Sequence, residues 1–384
     1  MKVLCAGGGS GGHVTPVVVV INEIAKLAPD VEVVFACDKA FEHQARGLMD
    51  SNANVPVETK VIAAGKLRRY KHLTFWQHFT VPGLVVSNLL DILKVGWGVA
   101  QSVVLFATFK PDVVFAKGGY VCLPVGIVAR LWRVPLVIHD SDARPGVTNR
   151  ILSRWATKIG TGAPLENYGY PADRSEYVGV PIAEEFRPFS PEEAKHAKQQ
   201  FDLSVDRPLV VVTGGGLGAK TINDATLANA HSLLEQGVAI YHVTGKKHFE
   251  DISAQAVQDK HYTIVPFVFE NMHQLLGAAD VVISRASATF IQELAGLAKP
   301  SILIPSRSLG DQLRNAEVYK DAQAAIVLSD DDIATPGVLA DAVHSILTDR
   351  HRREGYAEKL HAFARPHAAR HVARLVVEAA AKHR

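Results

Sequence analysis

Two glycine-rich runs lie where backbone amides could bind the phosphates of a ligand. The run GGGSGG at 7–12 follows a short apolar segment, and the run GGGLG at 214–218 follows another. Glycine allows close approach to an anion, and a helix that begins after the loop directs its first amides at it. The first run also fits the G-x-G-x-x-G pattern, with Asp38 at the expected distance. A nicotinamide or flavin enzyme and another phosphate- or sugar-binding protein therefore both remain possible.

His13 directly follows the first run, at a predicted strand-to-helix turn. An imidazole titrates near neutral pH, so His13 could act as a general base that faces a cleft. The alternative is a histidine that makes only a structural hydrogen bond at the start of the helix. The second glycine run predicts a second nucleotide-type domain and a cleft between the two, which favours the base.

Charged and polar residues follow two apolar runs of the second half. Arg285 comes directly after one of them, before a stretch of small residues, and could add positive charge to a diphosphate site. Glu293 falls in the helix predicted next, where its carboxylate could accept both hydroxyls of a ribose or could be a solvated helix residue. Asp311 and Gln312 follow the next apolar run, where they could bind the hydroxyls of a sugar, whereas Asn315 could be structural.

The elements that would position these residues alternate between short apolar runs and helical patterns. This alternation predicts βαβ units and an α/β fold with two doubly wound parallel sheets in tandem. The predicted strands are 3–6, 31–37, 57–62, 113–116, 136–139 and 158–161 in the first half, and 209–213, 238–244, 262–265, 281–284, 301–305 and 325–328 in the second.

The pattern changes near residue 180, where prolines interrupt it, and we place the domain boundary there. We predict an acceptor- and membrane-binding domain at 1–180 and a nucleotide-sugar-binding domain at 181–350. A helical segment at 351–384 would be broken at Pro366 and return to the first domain.

Composition places the chain among ordinary globular proteins. It has 384 residues, 48% hydrophobic and 21% charged, with a net charge of +2. The length suits two domains. The small net charge does not indicate a nucleic-acid-binding protein, so any preference for anions must come from local patches.

The ordered motifs of the chain resemble those of the MurG-type enzymes of glycosyltransferase family 28, which make lipid II. The matching segments are GGSGGHVTP at 8–16, KGGY at 117–120, HD at 139–140 with GVTN at 146–149, GGGLGA at 214–219 and the stretch from Ser284 to Glu293. They occur in order over about 8–316, which is most of the chain.

The resemblance implies a GT-B fold, in which two Rossmann-like domains face each other across a cleft. It implies an inverting transferase that uses UDP-N-acetylglucosamine as donor and the undecaprenyl-linked muramoyl pentapeptide lipid I as acceptor. It implies no metal and no cofactor. It also implies peptidoglycan synthesis and a peripheral location on the cytoplasmic face of the cell membrane.

Residue by residue, the resemblance assigns the general base to His13. The implied donor-side residues are Ser10, Gly11, Gly12, Gly215, Gly216, Phe269 (or its neighbour Val268), Arg285, Ala288, Thr289, Glu293 and Gln312. Of these, Ser10, Gly11 and Gly12 would meet the diphosphate or the acceptor. The implied acceptor-side residues are Gly118, Gly119, Tyr120, His139, Asp140, Asp142 and Asn149.

Four departures from the family pattern fall on donor and acceptor contacts. The segment HDSD at 139–142 replaces His-Glu-Gln-Asn, and VPIA at 180–183 replaces Asn-Pro-Val-Arg, so that Ala183 stands where the family has arginine. Gly216-Leu217 replaces Ser-Gln, and Asp311 replaces the first of two glutamines. A related transferase with another sugar or lipid, or a non-catalytic subunit that binds the nucleotide sugar, is therefore the alternative.

A basic and aromatic segment at 66–80 precedes a long apolar helix predicted at 81–107. Such a pair can lie on an anionic bilayer, or it can be a solvated loop followed by a core helix. The lipid acceptor implied by the resemblance favours membrane contact through 66–107. Asp91, Lys94 and Pro82 argue against a span, because charges within a bilayer are costly. No further basic surface indicates nucleic acid.

Overall fold

The computed structural model describes residues 1–8, 11–65, 82–216, 218–268, 270–309 and 311–382, and within these it describes only the backbone of 11–13 and 82–87. The chain divides into two compact units. The first comprises Met1–Ile182 with His367–Arg384, and the second comprises Ala183–Pro366. Each unit is built on a parallel sheet, which confirms the α/β class with two doubly wound sheets.

The sheet of the first unit has seven strands within the described residues, in the order β3-β2-β1-β4-β5-β6-β7. The strands are β1 (Lys2–Gly7), β2 (Glu32–Cys37), β3 (Val57–Val61), β4 (Val113–Gly118), β5 (Leu136–Asp140), β6 (Lys158–Thr161) and β7 (Ser175–Tyr177). The strand order reverses between β1 and β4, which pair directly, with Gly7 opposite Gly118. Ligands of doubly wound sheets bind beyond the carboxyl ends of the strands at such a switch point.

Helices cover both faces of this sheet: α1 (Gly11–Leu27), α2 (Glu42–Asn52), α3 (Pro82–Phe109), α4 (Cys122–Leu131) and α5 (Val147–Leu152). Val17 and Ile21 of α1 pack with Phe35 on one face. Phe106 of α3 and Leu152 of α5 belong to the core on the other face. Because the strands are buried on both sides, their sequences are continuous apolar runs, and the sequence analysis could identify them for this reason.

The second unit repeats the plan with six strands among the described residues, in the order β10-β9-β8-β11-β12-β13. They are β8 (Leu209–Thr213), β9 (Ala239–Val243), β10 (Tyr262–Val265), β11 (Val281–Ser284), β12 (Ser301–Leu303) and β13 (Ile326–Val327). The switch point lies between β8 and β11, which pair from Val210 and Val281 to Thr213 and Ser284.

The helices of the second unit are α6 (Pro191–Gln200), α7 (Lys220–Glu235), α8 (Phe249–Gln255), α9 (Met272–Ala278), α10 (Ala288–Gly296), α11 (Gln312–Asp321), α12 (Asp330–Ala334), α13 (Val338–Leu347) and α14 (Arg350–His361). Pro191 begins α6, as suits a residue that lacks a backbone N–H donor. Ser190 caps α6 by accepting from the backbone N–H of Glu193, whose carboxylate accepts from the backbone of Ser190 in return.

The C-terminal segment differs from our prediction at its start. We predicted that 351–384 returns to the first domain, but α14 belongs to the second unit, where Leu360 is buried with Leu294. The return begins at His367, after a break at Pro366 as expected. The last helix, α15 (Ala368–Ala381), carries an apolar stripe that joins the core formed by β1 and α1, whereas α14 has only Leu360 buried.

The strand β7 was absent from our prediction, because its sequence Ser-Glu-Tyr has no apolar run and none of its three residues is buried. The segment Asn88–Phe109 of α3 is long and apolar enough to cross a membrane by length and composition, although we predicted no span. Only 28% of the most apolar stretch of this helix is buried within the protein. Asp91 in the same segment is 4% exposed and forms an ion pair with Lys94. The basic segment 66–80 lies outside the described residues.

Candidate active site

Two glycine loops of the first unit meet at the switch point of its sheet. A Cβ atom on Gly119 would lie 2.4 Å from the carbonyl oxygen of Gly8, and Gly119 has a φ of +90°, which non-glycine residues rarely adopt. The helix α1 begins at Gly11, so Gly12 and the backbone of His13 lie in its first turn. Ser10 and the side chain of His13 lie outside the described residues. The loops thus bring backbone amides of the predicted phosphate-binding run beside Gly118 and Gly119.

A buried ammonium group lies beneath these loops. Lys117, the residue before Gly118, is 1% exposed, and its Nζ donates a hydrogen bond to Ser141 Oγ at 2.5 Å. Burial lowers the pKa of Lys117 to about 8, and the nearby carboxylates of Asp140 and Asp142 oppose this shift. Sequence reasoning did not assign Lys117 a role. The signal was a charged residue within the apolar strand β4, which is costly unless it is paired.

Asp140 ends β5 with a carboxyl group that is held from two sides. Its Oδ2 accepts hydrogen bonds from the backbone N–H of Gly146 at 3.1 Å and from the hydroxyl of Tyr170 at 2.8 Å. Burial raises the pKa of Asp140 to about 6 despite these bonds. Asp140 is only 6% exposed, so its carboxyl mainly holds the loop after β5 through Gly146 and Tyr170.

Two of the predicted acceptor-side residues have no exposed surface for a ligand. His139 is fully buried, with Nε2 at 2.8 Å from the carbonyl oxygen of Gly179, and burial holds its pKa well below the ordinary value. Asn149 is 2% exposed and donates to the carbonyl oxygen of His139 at 3.0 Å. Both residues position the loop after β5 in this structure. Tyr120, by contrast, is 41% exposed beside Gly119.

The glycine loop of the second unit folds tightly between β8 and α7. Gly218 has a φ of +75°, and a Cβ atom on it would lie 2.1 Å from the carbonyl oxygen of Thr244. Gly216 has room around it, since a Cβ atom there would lie 3.7 Å from the ring of Phe267. Leu217 and Phe269 lie outside the described residues, while Val268 packs against the core of the second unit.

Arg285, which we expected to contact a diphosphate, is held by the protein itself. Its Nη1 donates to Asp330 Oδ1 at 2.9 Å and to the carbonyl oxygen of Ile304 at 3.0 Å. Its Nη2 donates to Thr221 Oγ1 at 2.7 Å. The guanidinium group thus links the ends of β11 and β12 to α7 and α12, and its charge is already balanced by a carboxylate.

Glu293 lies on α10, whose first turn contains Ala288 and Thr289. Ser287 caps this helix by accepting a hydrogen bond from the backbone N–H of Phe290. Burial raises the pKa of Glu293 to about 8. Among the described residues, no group donates a hydrogen bond to its carboxyl. The side chain is partly exposed, so its carboxyl can accept the two hydroxyls of a ribose.

The predicted sugar-binding pair begins α11. Gln312 accepts a hydrogen bond from the backbone N–H of Ser306 through Oε1 at 3.0 Å, which fixes the orientation of its amide. Asp311 precedes α11 and makes no capping bond with its side chain. Asn315 donates to the carbonyl oxygen of Ala286 at 3.2 Å, which agrees with a structural role. In the described part of the chain, no three His, Cys, Asp or Glu side chains are grouped to hold a metal ion.

Comparison with known proteins identifies relatives of both units. The model of the glycosyltransferase family 28 N-terminal domain matches residues 3–161, and that of the C-terminal domain matches residues 209–374. Two similar proteins carry the name UDP-N-acetylglucosamine–N-acetylmuramyl-(pentapeptide) pyrophosphoryl-undecaprenol N-acetylglucosamine transferase. The protein from Geobacillus kaustophilus is 36% identical over 93% of this chain and 94% of its own. That from Clostridium kluyveri is 32% identical over 94% and 95%.

A similar solved structure is that of MurG from Acinetobacter baumannii. It has a TM-score of 0.71 and 25% identity, and the match covers 98% of this chain and 99% of that one. Its architecture agrees with the GT-B fold that the family resemblance implied.

Proposed function

The chain belongs to glycosyltransferase family 28, and from that premise we propose that it transfers N-acetylglucosamine from UDP-N-acetylglucosamine to N-acetylmuramyl-(pentapeptide) pyrophosphoryl-undecaprenol. The observation that carries the proposal is the match to relatives of this name over more than nine-tenths of both chains. The product is lipid II, an intermediate of peptidoglycan synthesis. Release of UDP that depends on the lipid acceptor tests this proposal.

The donor occupies the second unit. Glu293 binds the ribose hydroxyls, because its carboxyl is partly exposed and has no donor among the described residues. The first amides of α10 at Ala288 and Thr289, together with the open loop at Gly215 and Gly216, meet the diphosphate. The oriented amide of Gln312 binds the sugar.

Arg285 contributes to this site indirectly. Its guanidinium group holds the loops after β11 and β12 through Ile304 and Asp330, and these loops carry the donor contacts. The positive charge of Arg285 attracts the diphosphate only to the extent that the carboxylate of Asp330 does not neutralise it.

The acceptor is bound by the first unit, and His13 is the general base. The acceptor hydroxyl attacks the anomeric carbon, His13 takes its proton, and the bond from that carbon to the diphosphate oxygen breaks as UDP leaves, which inverts the configuration. The helix start at Gly11 and Gly12 and the facing loop at Gly119 supply backbone amides near this chemistry. Asp140, whose carboxyl accepts from Gly146 and Tyr170, orients the loop that contacts the acceptor.

Binding to the cytoplasmic face of the membrane uses α3. Its first described side chains form an exposed apolar face, which we call the α3 face: Leu89, Leu90, Ile92, Leu93 and Trp97, each 52–64% exposed. Such exposed apolar surface is uncommon on a monomer and suits the acyl boundary of a bilayer. Peripheral binding through this face agrees with a lipid-linked acceptor. An anionic surface would be attracted by the basic segment 66–80, which lies outside the described residues.

A further inference from the structure

A cavity of about 520 Å³ on the first unit contains more positive charge than its surroundings balance. We call it the arginine pocket, and it lies between α5 and the connection from β6 to β7. Its walls include the side chains of Arg150, Arg154, Arg174, Tyr168 and Tyr170. No residue that we assigned to the donor, and none that we assigned to the acceptor, is part of this wall.

The guanidinium groups of the pocket are oriented by the backbone instead of by acids. Arg174 donates to the carbonyl oxygens of Ala156 at 3.1 Å and Arg154 at 3.3 Å, and Arg150 donates to that of Pro145 at 3.4 Å. Within the described part of the chain, none of the three arginines forms an ion pair with a carboxylate. Their charges are therefore available to an anionic ligand. Planar guanidinium groups bind carboxylates with paired hydrogen bonds.

The pocket is connected to the acceptor side by its tyrosines. The rings of Tyr168 and Tyr170 stack with centroids 5.4 Å apart. Tyr170 donates to Asp140 Oδ2 at 2.8 Å, and Tyr168 donates to the carbonyl oxygen of Asp142 at 2.6 Å. Both tyrosines line the pocket, and their hydroxyl groups hold the loop after β5.

A short peptide is long enough to extend from Asp140 to the arginines of the pocket. The backbone N–H of Gly146, which caps α5, donates to Asp140, so α5 begins at this carboxyl. A helix of this length rises about 9 Å, and an extended pentapeptide spans about 17 Å. A peptide attached to a sugar at the Asp140 loop can therefore place its far end in the arginine pocket.

We infer that the arginine pocket binds the carboxylates of the acceptor's pentapeptide. This inference rests on the proposed function, because it takes the muramyl pentapeptide lipid as the acceptor. The carboxyl group of the muramyl residue acylates the amino end of the peptide, so the peptide's own C-terminal carboxylate is free to enter the pocket. The pocket thus gives the enzyme a preference for an acceptor whose peptide is complete and anionic.

The test compares two short-chain lipid acceptors, one with free peptide carboxylates and one with all of them amidated. For the wild-type protein, we expect KM for the amidated acceptor to be about tenfold higher. In the Arg150→Gln/Arg154→Gln double variant, this ratio should fall to about one. Both arginines are exposed, so folding should survive, and circular dichroism checks this. The matched control is Arg130→Gln, which removes an exposed arginine outside the pocket and should keep the tenfold ratio.

Other outcomes would overturn the inference. A wild-type ratio near one, or a double variant that keeps the full ratio, means that the pocket does not recognise the peptide. Loss of binding to phosphatidylglycerol vesicles by the double variant, with the ratio unchanged, would assign the pocket to lipid headgroups instead. If the wild-type protein uses neither acceptor, the proposed function fails. The pocket is then tested by calorimetric titration with the soluble muramyl pentapeptide and its amidated form, where equal binding of both refutes it.

Discussion

Arg285 and Asp330 form an ion pair across the carboxyl ends of the second sheet, with Nη1 2.9 Å from Oδ1 and side chains that are 11% and 25% exposed. The same arginine donates to Thr221 and to the backbone of Ile304. Arg285, which the sequence suggested as a ligand contact, thus holds two loops together, and we call this its clamp role. We also expect its guanidinium group to meet the diphosphate with the part of its positive charge that Asp330 does not balance.

Substitution of either partner separates the clamp from the diphosphate contact. Arg285→Gln and Asp330→Asn should each lower the free energy of unfolding by about 1–3 kcal/mol, since each leaves a charged group without its hydrogen-bonded partner. UDP affinity should fall in Arg285→Gln and hold or rise in Asp330→Asn, because the freed guanidinium can turn to the diphosphate. Urea unfolding and calorimetric titration with UDP measure both. An equal loss of UDP affinity in the two variants would leave Arg285 with the clamp role alone.

Glu293→Gln should weaken UDP binding and at the same time stabilise the protein at alkaline pH. The folded-state pKa of Glu293, about 8, lies above its ordinary value of 4.5, so the folded protein loses stability as pH rises through this interval. Glutamine cannot ionise, and the variant should melt above the wild type at pH 8.5 and close to it at pH 4.5. At pH 8.5, where the carboxyl is mostly ionised, UDP affinity should fall about tenfold or more, because charge-assisted bonds to the ribose are lost.

The exposed Glu250 provides the matched control for this residue. Glu250→Gln removes a carboxylate of the same unit and should change neither the melting temperature nor UDP affinity. If Glu293→Gln behaves in the same way as this control, Glu293 has no part in the donor site.

His13→Ala should reduce kcat by at least about a hundredfold, the usual contribution of a general base, while UDP affinity stays within about twofold. Steady-state rates and UDP titration separate the two effects. His43→Ala, which removes an exposed histidine of the same unit, should leave kcat unchanged. A His13→Ala enzyme with normal kcat would require another base.

Membrane binding should depend on the α3 face. The double variant Leu93→Ser/Trp97→Ser should bind vesicles of phosphatidylglycerol at least about tenfold more weakly, because each large apolar side chain contributes about 1.5–3 kcal/mol on burial. Flotation with vesicles measures the bound fraction. Val257→Ser, an exposed apolar residue of the second unit, serves as the control and should bind normally. Undiminished binding by the double variant would transfer membrane contact to another part of the chain.

The sequence predicted the parallel sheets well because their strands are buried on both faces and their loops are rich in glycine. The start of α6 depends on local residues, because Pro191 begins the helix and Ser190 caps it. The sequence could not predict that Arg285 pairs with Asp330, because 45 residues separate them and the pairing depends on the order of β11, β12 and β13. Such contacts follow from tertiary packing.

The acceptor side shows the same limit. His139 and Asn149 match the family motif, but their burial comes from neighbours that the motif does not contain, such as Gly179. Lys117 donates its hydrogen bond to Ser141, one of the positions where the chain departs from the family pattern. The departure at Ser141 is therefore understood only together with Lys117, a contact that the linear sequence does not reveal.

The most direct test of the proposed function is UDP release from a panel of UDP-sugars, with and without a short-chain lipid I analogue, in the presence of a chelator. We predict release from UDP-N-acetylglucosamine only when the lipid is present, with UDP and the disaccharide-lipid formed in equal amounts. UDP binding without any release, or release that favours another sugar, would contradict the proposal. The departures at Asp142, Ala183 and Gly216 would then have changed the substrate or ended catalysis.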